Sequence, residues 1–400
     1  MNTKLHFVAE VNPPTPEFDQ LPDDAEVTFV PLEAVWPGKD LDVRRHRPKS
    51  QVVSGYTRFR EGDVLVPKIT PTFQANRTTR ALGLKNHVGT GTTELHVVRP
   101  GPDIDARYAT YLLSSRPFLL GGEAEMIGVA GQKRVPESWV RDLAVPIAST
   151  DEQRAIADFL DAETARLDSL IERKHRLVKR LGDREHFFLE TVFRNQATSE
   201  VPLRRLLKVP PQYGASESGL SGEADWPRYI RITDLRDDGV LADDDVKRLP
   251  PETAHPYLLQ HGDVLVARSG ATVGKSIMYR ELLGSACFAG YLIRLRFDSS
   301  KTLPALIELW MRTSHYWDQI AEAALQATIQ NVSAEKYKEL SVPVIPLAEQ
   351  HQVIERLTRL RSRVRQTQTL LERQIVLLTE HRQALITAAV TGQLEVPGVA

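Results

Sequence analysis

An internal duplication limits what this chain can fold into. Residues 145–160 read VPIASTDEQRAIADFL and residues 342–357 read VPVIPLAEQHQVIERL, so a Val-Pro pair, a Glu-Gln pair and a leucine recur 197 residues apart. Upstream, the segment GDVLV at 62–66 recurs at 262–266, which is a displacement of 200 residues. Two different signatures in the same order at nearly the same displacement indicate two copies of one module, each about half of the chain.

A seven-residue apolar ladder follows each Val-Pro segment. With charged residues between its rungs, this spacing predicts a long helix of the coiled-coil kind in each module. Thr150 and Gln153 have the spacing of a capping box, which predicts a helix start near residue 150, and Pro346 suits the first turn of the second helix. The predicted seam consists of Leu160, Leu167, Leu181 and Phe188 in the first helix, and of Leu357, Val364, Leu371, Leu378 and Leu385 in the second.

The segments outside the helices predict globular units of mixed composition. Residues 62–70 and 262–269 are short, β-branched runs that a Gly-Asp turn opens, as strands often are. Each helix could pack on its own unit, but matched registers in one chain favour pairing of the two helices. The predicted fold class is therefore mixed α/β of the α+β kind, with a globular unit at 1–150, a helix at 151–196, a second globular unit at 197–346, and a helix with a tail at 347–400.

The net charge conceals an uneven distribution. The chain has 51 Lys plus Arg against 52 Asp plus Glu, a total that argues against a uniformly basic nucleic-acid binder. Residues 1–35 carry seven carboxylates and one lysine, whereas residues 39–85 carry eleven cations and four carboxylates. With Tyr56, Phe59 and Phe73 interleaved, the second stretch predicts a phosphate-contacting surface. The alternative is a basic loop that the acidic start of the chain balances in space.

Few signals of chemistry or of export are present. The single cysteine, Cys287, excludes an internal disulfide and fits a reducing cytoplasm, and no apolar run approaches the ~20 residues that span a bilayer. Residues 269–276, SGATVGKS, approach a nucleotide-binding loop but lack its first glycine and precede a strand-like segment. No cysteine or histidine set has metal-ligand spacing. We therefore predict a cytoplasmic protein without catalytic machinery or metal.

This pattern resembles the specificity subunit of type I restriction–modification systems over essentially the whole chain. The second module carries the resemblance most closely, through 262–270 continuing to Gly274-Lys275, through the repeated Val-Pro and Glu-Gln pairs, and through the helix end at 385–393, LITAAVTGQ. The first module resembles a different recognition type within the family, through 68–71, 91–95 and 131–136. Its helix ends VFRNQ without the Val-Thr-Gly close, and Ser149-Thr150 replaces a commoner proline-leucine pair.

The resemblance implies a non-catalytic scaffold that reads DNA. Each globular unit would be a target-recognition domain for half of a bipartite, asymmetric site, and the two helices would pack antiparallel and fix the gap between the halves. Two modification (methyltransferase) subunits would bind S-adenosylmethionine, and up to two restriction-translocation subunits would bind ATP and Mg, so this chain would hold no cofactor of its own.

Candidate DNA contacts follow the two predicted strands and precede the Val-Pro segments. Arg and Lys can pair with guanine, and Asn and Gln with adenine, although for each residue a turn or surface role is an open alternative. The candidates are Lys68, Thr70, Gln74, Asn76, Arg77, Arg80, Gln132, Lys133 and Arg134 in the first unit, and Arg268, Ser269, Thr272, Lys275, Gln330 and Asn331 in the second. Two other functions compete: a coiled-coil adaptor that binds proteins rather than DNA, and a stand-alone enzyme built on residues 269–276.

Overall fold

The structure is a computed structural model that describes residues 2–35, 41–129, 131–146, 148–236, 240–280, 284–325 and 331–399. The chain forms two compact units, Met1–Arg176 with Leu371–Ala400 and Leu177–Leu370. Each unit therefore combines a globular part with segments of both long helices. The four-segment division made from the sequence assigns the helices to segments of their own, and its boundaries stay a prediction.

Unit 1 has two four-stranded sheets, in the orders β2-β9-β6-β7 and β4-β3-β8-β5, and a two-stranded β1-β10 pair. Its strands are β1 (Asn2–Lys4), β2 (Ala9–Val11), β3 (Glu26–Val30), β4 (His46–Pro48), β5 (Thr57–Arg60), β6 (Val64–Pro67), β7 (Thr79–Arg80), β8 (Val88–Gly91), β9 (Leu95–Pro100) and β10 (Ala144–Pro146). Its helices are α1 (Pro16–Gln20), α2 (Ala106–Leu112), α3 (Arg116–Ala124), α4 (Glu137–Arg141) and the first part of α5 (Thr150–Gln196).

Unit 2 repeats this topology, with sheets in the orders β12-β18-β15-β16 and β14-β13-β17 and a β11-β19 pair. Its strands are β11 (Ser199–Pro202), β12 (Gln212–Tyr213), β13 (Arg228–Ile230), β14 (Lys247–Arg248), β15 (Val264–Ala267), β16 (Ser276–Met278), β17 (Ala286–Phe288), β18 (Leu292–Leu295) and β19 (Ser341–Val344). Its helices are α6 (Pro251–Ala254), α7 (Pro304–Trp310), α8 (Ser314–Leu325), α9 (Ala334–Glu339) and the first part of α10 (Leu347–Val390). The predicted mixed fold class and duplication are confirmed.

The repeated GDVLV segment is explained by burial on both faces of its strand. In unit 1, Val64 and Val66 enter one core cluster while Leu65 enters another, because successive side chains of a strand point to opposite faces. In unit 2, Val264 and Val266 likewise enter one core cluster and Leu265 enters another. A strand between two cores must be apolar at every position.

The aspartate of the same segment forms a buried ion pair in each unit. Arg99 on β9 donates Nε and Nη2 to the two oxygens of Asp63, at 2.8 and 2.9 Å, and Arg296, just after β18, holds Asp263 in the same way at 2.6 Å for both bonds. Both aspartates are 1% exposed. The glycine before each aspartate has a φ near +88°, which only glycine adopts without strain.

The long helices begin where the duplicated Glu-Gln pair lies. Ser149, rather than Thr150, caps α5: its amide donates to Glu152 and its hydroxyl accepts from the Glu152 amide, so the capping box is shifted one residue from the predicted one. The glutamines are buried and attach each helix to its globular part. Gln153 accepts from the Asp105 amide at 2.9 Å, and Gln350 accepts from the Leu303 amide at 2.7 Å.

The helix segments run antiparallel within each unit, as the resemblance implied. In unit 1, Arg382 of α10 contacts Asp168 of α5 at 2.9 Å, and Lys174 of α5 donates to Gln374 of α10. Residues further along α5 therefore contact residues that come earlier in α10. In unit 2, Gln368 donates to the Val178 carbonyl at 3.1 Å.

The predicted seam is only partly enclosed. Leu160 and Leu357 are buried in the cores of their own units, and Leu167 and Val364 are also buried. The other five predicted positions are half-buried, namely Leu181, Phe188, Leu371, Leu378 and Leu385. The ladder therefore anchors each helix to a globular core as well as pairing the helices.

Candidate nucleic-acid interface

In unit 1, the end of β6 and the segment 132–135 form one polar cluster. Ile69 and Arg134 make an isolated antiparallel bridge, and the amide and hydroxyl of Thr70 both donate to the Lys133 carbonyl, at 2.9 and 3.0 Å. Lys68 donates its amide to the Glu94 carbonyl. The candidates Lys68, Thr70, Gln132, Lys133 and Arg134, which come from two distant parts of the sequence, therefore lie together.

Arg134 is already engaged within this cluster. Its Nε and Nη2 each donate to a Glu94 oxygen at 2.8 Å, in a bidentate pair that leaves the arginine side chain 45% exposed. This hydrogen bonding, more than the charge of Arg134 or Lys68, holds the pKa of Glu94 below its usual value. To bind a guanine, Arg134 would have to exchange its hydrogen bonds to Glu94 for hydrogen bonds to the base. Alternatively, the Glu94 carboxylate would itself accept a hydrogen bond from a cytosine amine.

The loop that follows β6 points elsewhere. Asn76, in the left-handed conformation with φ 50°, donates its amide to the Ser114 carbonyl and to Gln383 of α10. Arg80 lies in β7 opposite Val64, Arg77 is half-buried, and Gln74 is exposed. The structure therefore does not place Asn76 and Arg80 in the cluster at the end of β6, and their predicted DNA contacts stay predictions.

Unit 2 has a cluster at the equivalent place. Ser269 bridges Asn331, as Ile69 bridges Arg134, and Arg268 donates Nε to the Asn331 side chain at 3.4 Å. The guanidinium of Arg268 also lies 4.7 Å from the ring centre of Tyr213. Its amide donates to the carbonyl of Tyr291, a residue that is 62% exposed. Cation, amide and aromatic ring thus meet on a partly exposed surface.

The remaining unit 2 candidates lie in or beside the turn after β15. Thr272 donates its hydroxyl to the Ser269 carbonyl at 3.4 Å, and Lys275 donates its amide to Thr272 as the chain enters β16. This segment leads into a strand, whereas a nucleotide-binding loop opens a helix. Gln330 lies outside the described residues.

Sequence reasoning missed three members of the clusters. Tyr213, Tyr291 and Glu94 were not candidates, although all three line the clusters through the contacts above. Glu94 lies within a motif that carried the family resemblance, but nothing in the sequence paired it with Arg134, which is 40 residues away. Tyr213 follows a Pro-Pro pair, and only the fold determines which way the chain runs after that pair.

Four of the eleven cations in the basic stretch at 39–85 pair with carboxylates at the acidic start of the chain. Arg45 pairs with Glu33 at 2.9 Å, Arg58 with Asp19 at 2.8 Å, and Lys49 with Asp23 at 3.6 Å. Arg60 also contacts Glu17. The alternative, in which the acidic start of the chain balances the basic stretch in space, therefore holds for these four cations. For the other cations the predicted phosphate-contacting surface stays a prediction. Of its interleaved aromatics, Phe59 and Phe73 are buried.

Two features are absent from the described residues. None of the helices there is both long enough and apolar enough to cross a bilayer. Those residues also contain no group of three or more His, Cys, Asp or Glu side chains arranged to hold a metal ion.

Comparison with solved structures shows which fold the chain shares. No family model matches the chain. A chain from a study of complex assembly and conformational transition in the type I R-M system superposes with a TM-score of 0.78 at 16% identity, over 98% of both chains. The HsdS subunit from Thermoanaerobacter tengcongensis gives 0.53 at 16% identity, over 98% of this chain and 97% of that one. The chain therefore has the duplicated fold of an HsdS subunit.

Sequence similarity points to the same proteins. The type I restriction enzyme EcoAI specificity subunit of Escherichia coli is 37% identical over 159 residues, which are 38% of this chain and 26% of that protein. The EcoEI specificity subunit, also of Escherichia coli, is 35% identical over 157 residues, or 38% and 25%. The match spans about a quarter of the length of these curated relatives. The resemblance to type I specificity subunits that the motifs indicated is confirmed.

Proposed function

We propose that this chain is the sequence-specific DNA-recognition subunit of a type I restriction–modification complex. It reads a bipartite, asymmetric site and scaffolds the methyltransferase and restriction subunits. The proposal rests on one observation. Each unit has a polar cluster at the end of an equivalent strand, β6 in unit 1 and β15 in unit 2. Residues 68, 69 and 134 correspond to 268, 269 and 331, yet the side chains differ at all three pairs.

The two clusters suit base reading by different chemistry. Unit 1 presents Lys68 with the Arg134–Glu94 pair, a set that fits guanine and cytosine edges, and unit 2 presents Arg268 with Asn331 and two tyrosines, which adds an adenine-type amide. Different chemistry at equivalent positions makes the two half-sites different. The bidentate pairing of Arg134 with Glu94 also orients these side chains in unit 1 before DNA arrives, which lowers the entropic cost of binding.

We place the chemistry of the complex on the partner subunits. In this proposal two modification subunits bind S-adenosylmethionine and methylate adenine, up to two restriction-translocation subunits bind ATP and Mg, and this chain is non-catalytic. The strand that follows residues 269–276 supports this assignment, because the nearest approach to a nucleotide-binding loop lacks the helix that such a loop needs. A reducing cytoplasm is the proposed location.

The decisive test is co-expression of the chain with a modification subunit, followed by mapping of the methylated adenines. The expected result is one two-part motif with a fixed gap. Methylation without a sequence preference would contradict the proposal.

Arg268→Ala tests the unit 2 cluster directly. Loss of a bidentate base contact is expected to cost about 1–3 kcal/mol of discrimination at one base pair, whereas loss of a phosphate contact would weaken all sequences equally. Arg205→Ala, which removes an exposed arginine near β11, is the matched control. Unchanged binding and unchanged methylation in Arg268→Ala would exclude a contact there.

A coiled-coil adaptor that binds proteins rather than DNA is the second candidate. Exposed apolar side chains on α10 favour it, since Leu370, Val376 and Leu377 are each more than half exposed. An adaptor would show no salt-dependent DNA binding even with the modification subunit present.

A further inference from the structure

Two apolar side chains project into solvent beside the polar cluster of unit 1. Ile127 is 71% exposed and Val129 is 75% exposed. Both belong to the unit 1 hairpin, which comprises residues 127–129 and 131–134 and ends at Arg134, a member of that cluster. Single apolar residues on a surface are ordinary, so the position of these two in the fold has to show whether they have a partner.

The unit 1 hairpin is narrow and regular at its base. Ile127 and Arg134 exchange both backbone hydrogen bonds, at 3.0 and 2.9 Å, as directly opposite residues of an antiparallel pair do. Nearer the tip, the Gln132 amide donates to the Val129 carbonyl at 3.1 Å. The two arms are therefore held together as a short two-stranded ribbon.

The side chain of Ile127 faces the same way as that of Arg134. Opposite residues in an antiparallel pair share a face, and their neighbours along the chain point to the other face. The neighbours here are Met126 and Val135, and both pack in the same core cluster of unit 1. Ile127 therefore lies on the outer face, next to the arginine that is paired with Glu94.

An exposed leucine has the equivalent place in unit 2. Leu325, at the end of α8, is 86% exposed and lies six residues before Asn331, the residue that corresponds to Arg134. Ile127 lies seven residues before Arg134. Of the large apolar side chains that the structure describes, Phe7 is the one other that is at least 70% exposed. Both units therefore present an exposed apolar side chain just ahead of a residue of the polar cluster.

The distance between Ile127 and Arg134 indicates what Ile127 contacts. The Cα atoms of such a pair are about 5.5 Å apart, and successive base pairs are about 3.4 Å apart. A base that reaches Arg134 or Glu94 thus has a neighbour within one or two steps that reaches Ile127. The major groove admits a two-stranded ribbon, and the apolar group that it presents there is the C5-methyl of thymine.

We propose that Ile127 and Val129 contact thymine C5-methyl groups in the major groove, one or two base pairs from the base that Arg134 or Glu94 contacts. This inference rests on the proposed function and deepens it, because it names a base in the half-site that unit 1 reads. Hydrogen bonds to purines and cytosine leave a methyl group without a partner, whereas an apolar side chain is removed from water together with it.

The test uses the complex of the full chain with a modification subunit, and a duplex that carries the methylated motif. Each thymine of either strand is replaced in turn by deoxyuridine, which lacks only the C5-methyl group. One or two replacements in one half-site are expected to weaken binding about three- to tenfold, the loss for one buried methyl group. Ile127→Ala/Val129→Ala is expected to bind the thymine and deoxyuridine duplexes equally, because the methyl group has lost its partner.

Two further variants serve as controls. Ile127→Leu keeps an apolar side chain of the same size and is expected to retain most of the preference for thymine. Phe7→Ala removes an equally exposed apolar side chain outside the hairpin and is expected to leave the preference unchanged. The preference compares two duplexes on one protein, so a loss of stability alone does not change it.

Equal binding of every deoxyuridine duplex by the unaltered complex would overturn the inference and leave the proposed function standing. A thymine preference that persists in Ile127→Ala/Val129→Ala would also overturn it. If that variant lost the modification subunit instead, the hairpin would be a protein contact. A complex without any sequence preference in its methylation would contradict the proposed function, and the inference with it.

Discussion

Asp63 and Asp263 show how one residue can explain a repeated motif. Each is buried, receives two hydrogen bonds from an arginine across the sheet, and accepts a third from a backbone amide, Arg60 in unit 1 and Gln260 in unit 2. With its charge paired and its oxygens occupied, the carboxylate is tolerated where no water reaches it. The Gly-Asp turn therefore begins the central strand with a fixed ion pair.

Asp63→Ala is expected to destabilise unit 1 by about 3–5 kcal/mol, because it leaves the Arg99 guanidinium buried without its partner. Urea unfolding followed by circular dichroism measures the loss. The double variant Asp63→Ala/Arg99→Met is expected to recover part of it, since no charge then stays buried. Glu355→Ala, which breaks an exposed pair with Arg359, is the control and is expected to cost at most about 1 kcal/mol. Equal losses in both single variants would contradict the role of burial.

His96 is a buried histidine of unit 1 whose two ring nitrogens both have partners. It is 5% exposed, its Nε2 lies 2.9 Å from the Val135 carbonyl, and its Nδ1 lies 3.3 Å from the Asn12 amide nitrogen. The neutral ring with the proton on Nε2 satisfies both contacts, whereas protonation would set a second N–H against a donor. Burial, the main cause, lowers the pKa of His96.

Unit 1 is therefore expected to have full stability above pH about 6.5, the usual pKa of histidine in an unfolded chain. Stability should decline as the pH falls below that value toward the lowered pKa of the folded state, because the unfolded chain binds the proton more readily. Urea unfolding at a series of pH values measures this slope. His96→Gln is expected to flatten the slope, and a slope that persists in the variant would assign it to other groups.

At the scale of the elements, the long helices are attached to the globular parts at their first turns. Gln350 is 1% exposed and contacts both the Leu303 amide, at the start of α7, and the Ile345 carbonyl, ahead of its own helix. Gln153 makes the equivalent contacts with Asp105 and Ala148. These contacts are the physical reason that the glutamine of the Glu-Gln pair recurs in the sequence.

Gln350→Ala is expected to cost about 1–3 kcal/mol, because an amide and a carbonyl are left buried without partners. Thermal unfolding, or hydrogen exchange at Leu303, measures the effect. Gln352→Ala changes an exposed glutamine two residues away and is expected to have little effect. If the two variants lose the same stability, helix propensity rather than the buried contact is responsible.

At the scale of the whole molecule, the helices are matched in length and register. They span 47 and 44 residues, which correspond to roughly 70 and 66 Å of helix. In the proposed function this length sets the gap between the two half-sites. A change of length in both helices should then appear as a change of gap in the DNA that is read.

Deletion of residues 172–178 together with residues 369–375 removes one heptad from each helix. The two deleted segments are equivalent in the duplication. About 10 Å of helix is lost, which corresponds to about three base pairs. Methylation mapping is expected to show a shorter gap or loss of recognition of the original one. Deletion from one helix alone is the control and should prevent assembly, since the registers no longer match. An unchanged gap in the double deletion would show that the helices do not set it.

The sequence alone predicted the duplication, the strand that follows each Gly-Asp turn and the long helices, because apolar periodicity and repeated turn residues are local properties of a chain. It also identified Lys68, Arg134, Arg268 and Asn331 as candidate DNA contacts, because their side chains can pair with bases. It misplaced the capping box by one residue, since Ser149 and Thr150 are both suitable caps and only backbone geometry chooses between them.

Only the tertiary structure decided which of the candidates meet. Arg134 reaches Glu94 and Ser269 reaches Asn331 through sheet pairing between distant segments, whereas Asn76 turns to α10. The structure likewise paired four cations of the basic stretch with carboxylates at the acidic start of the chain. The physical reason is common to these cases. Charge and hydrogen bonding act over a few ångströms in space, and separation along the chain does not report that distance.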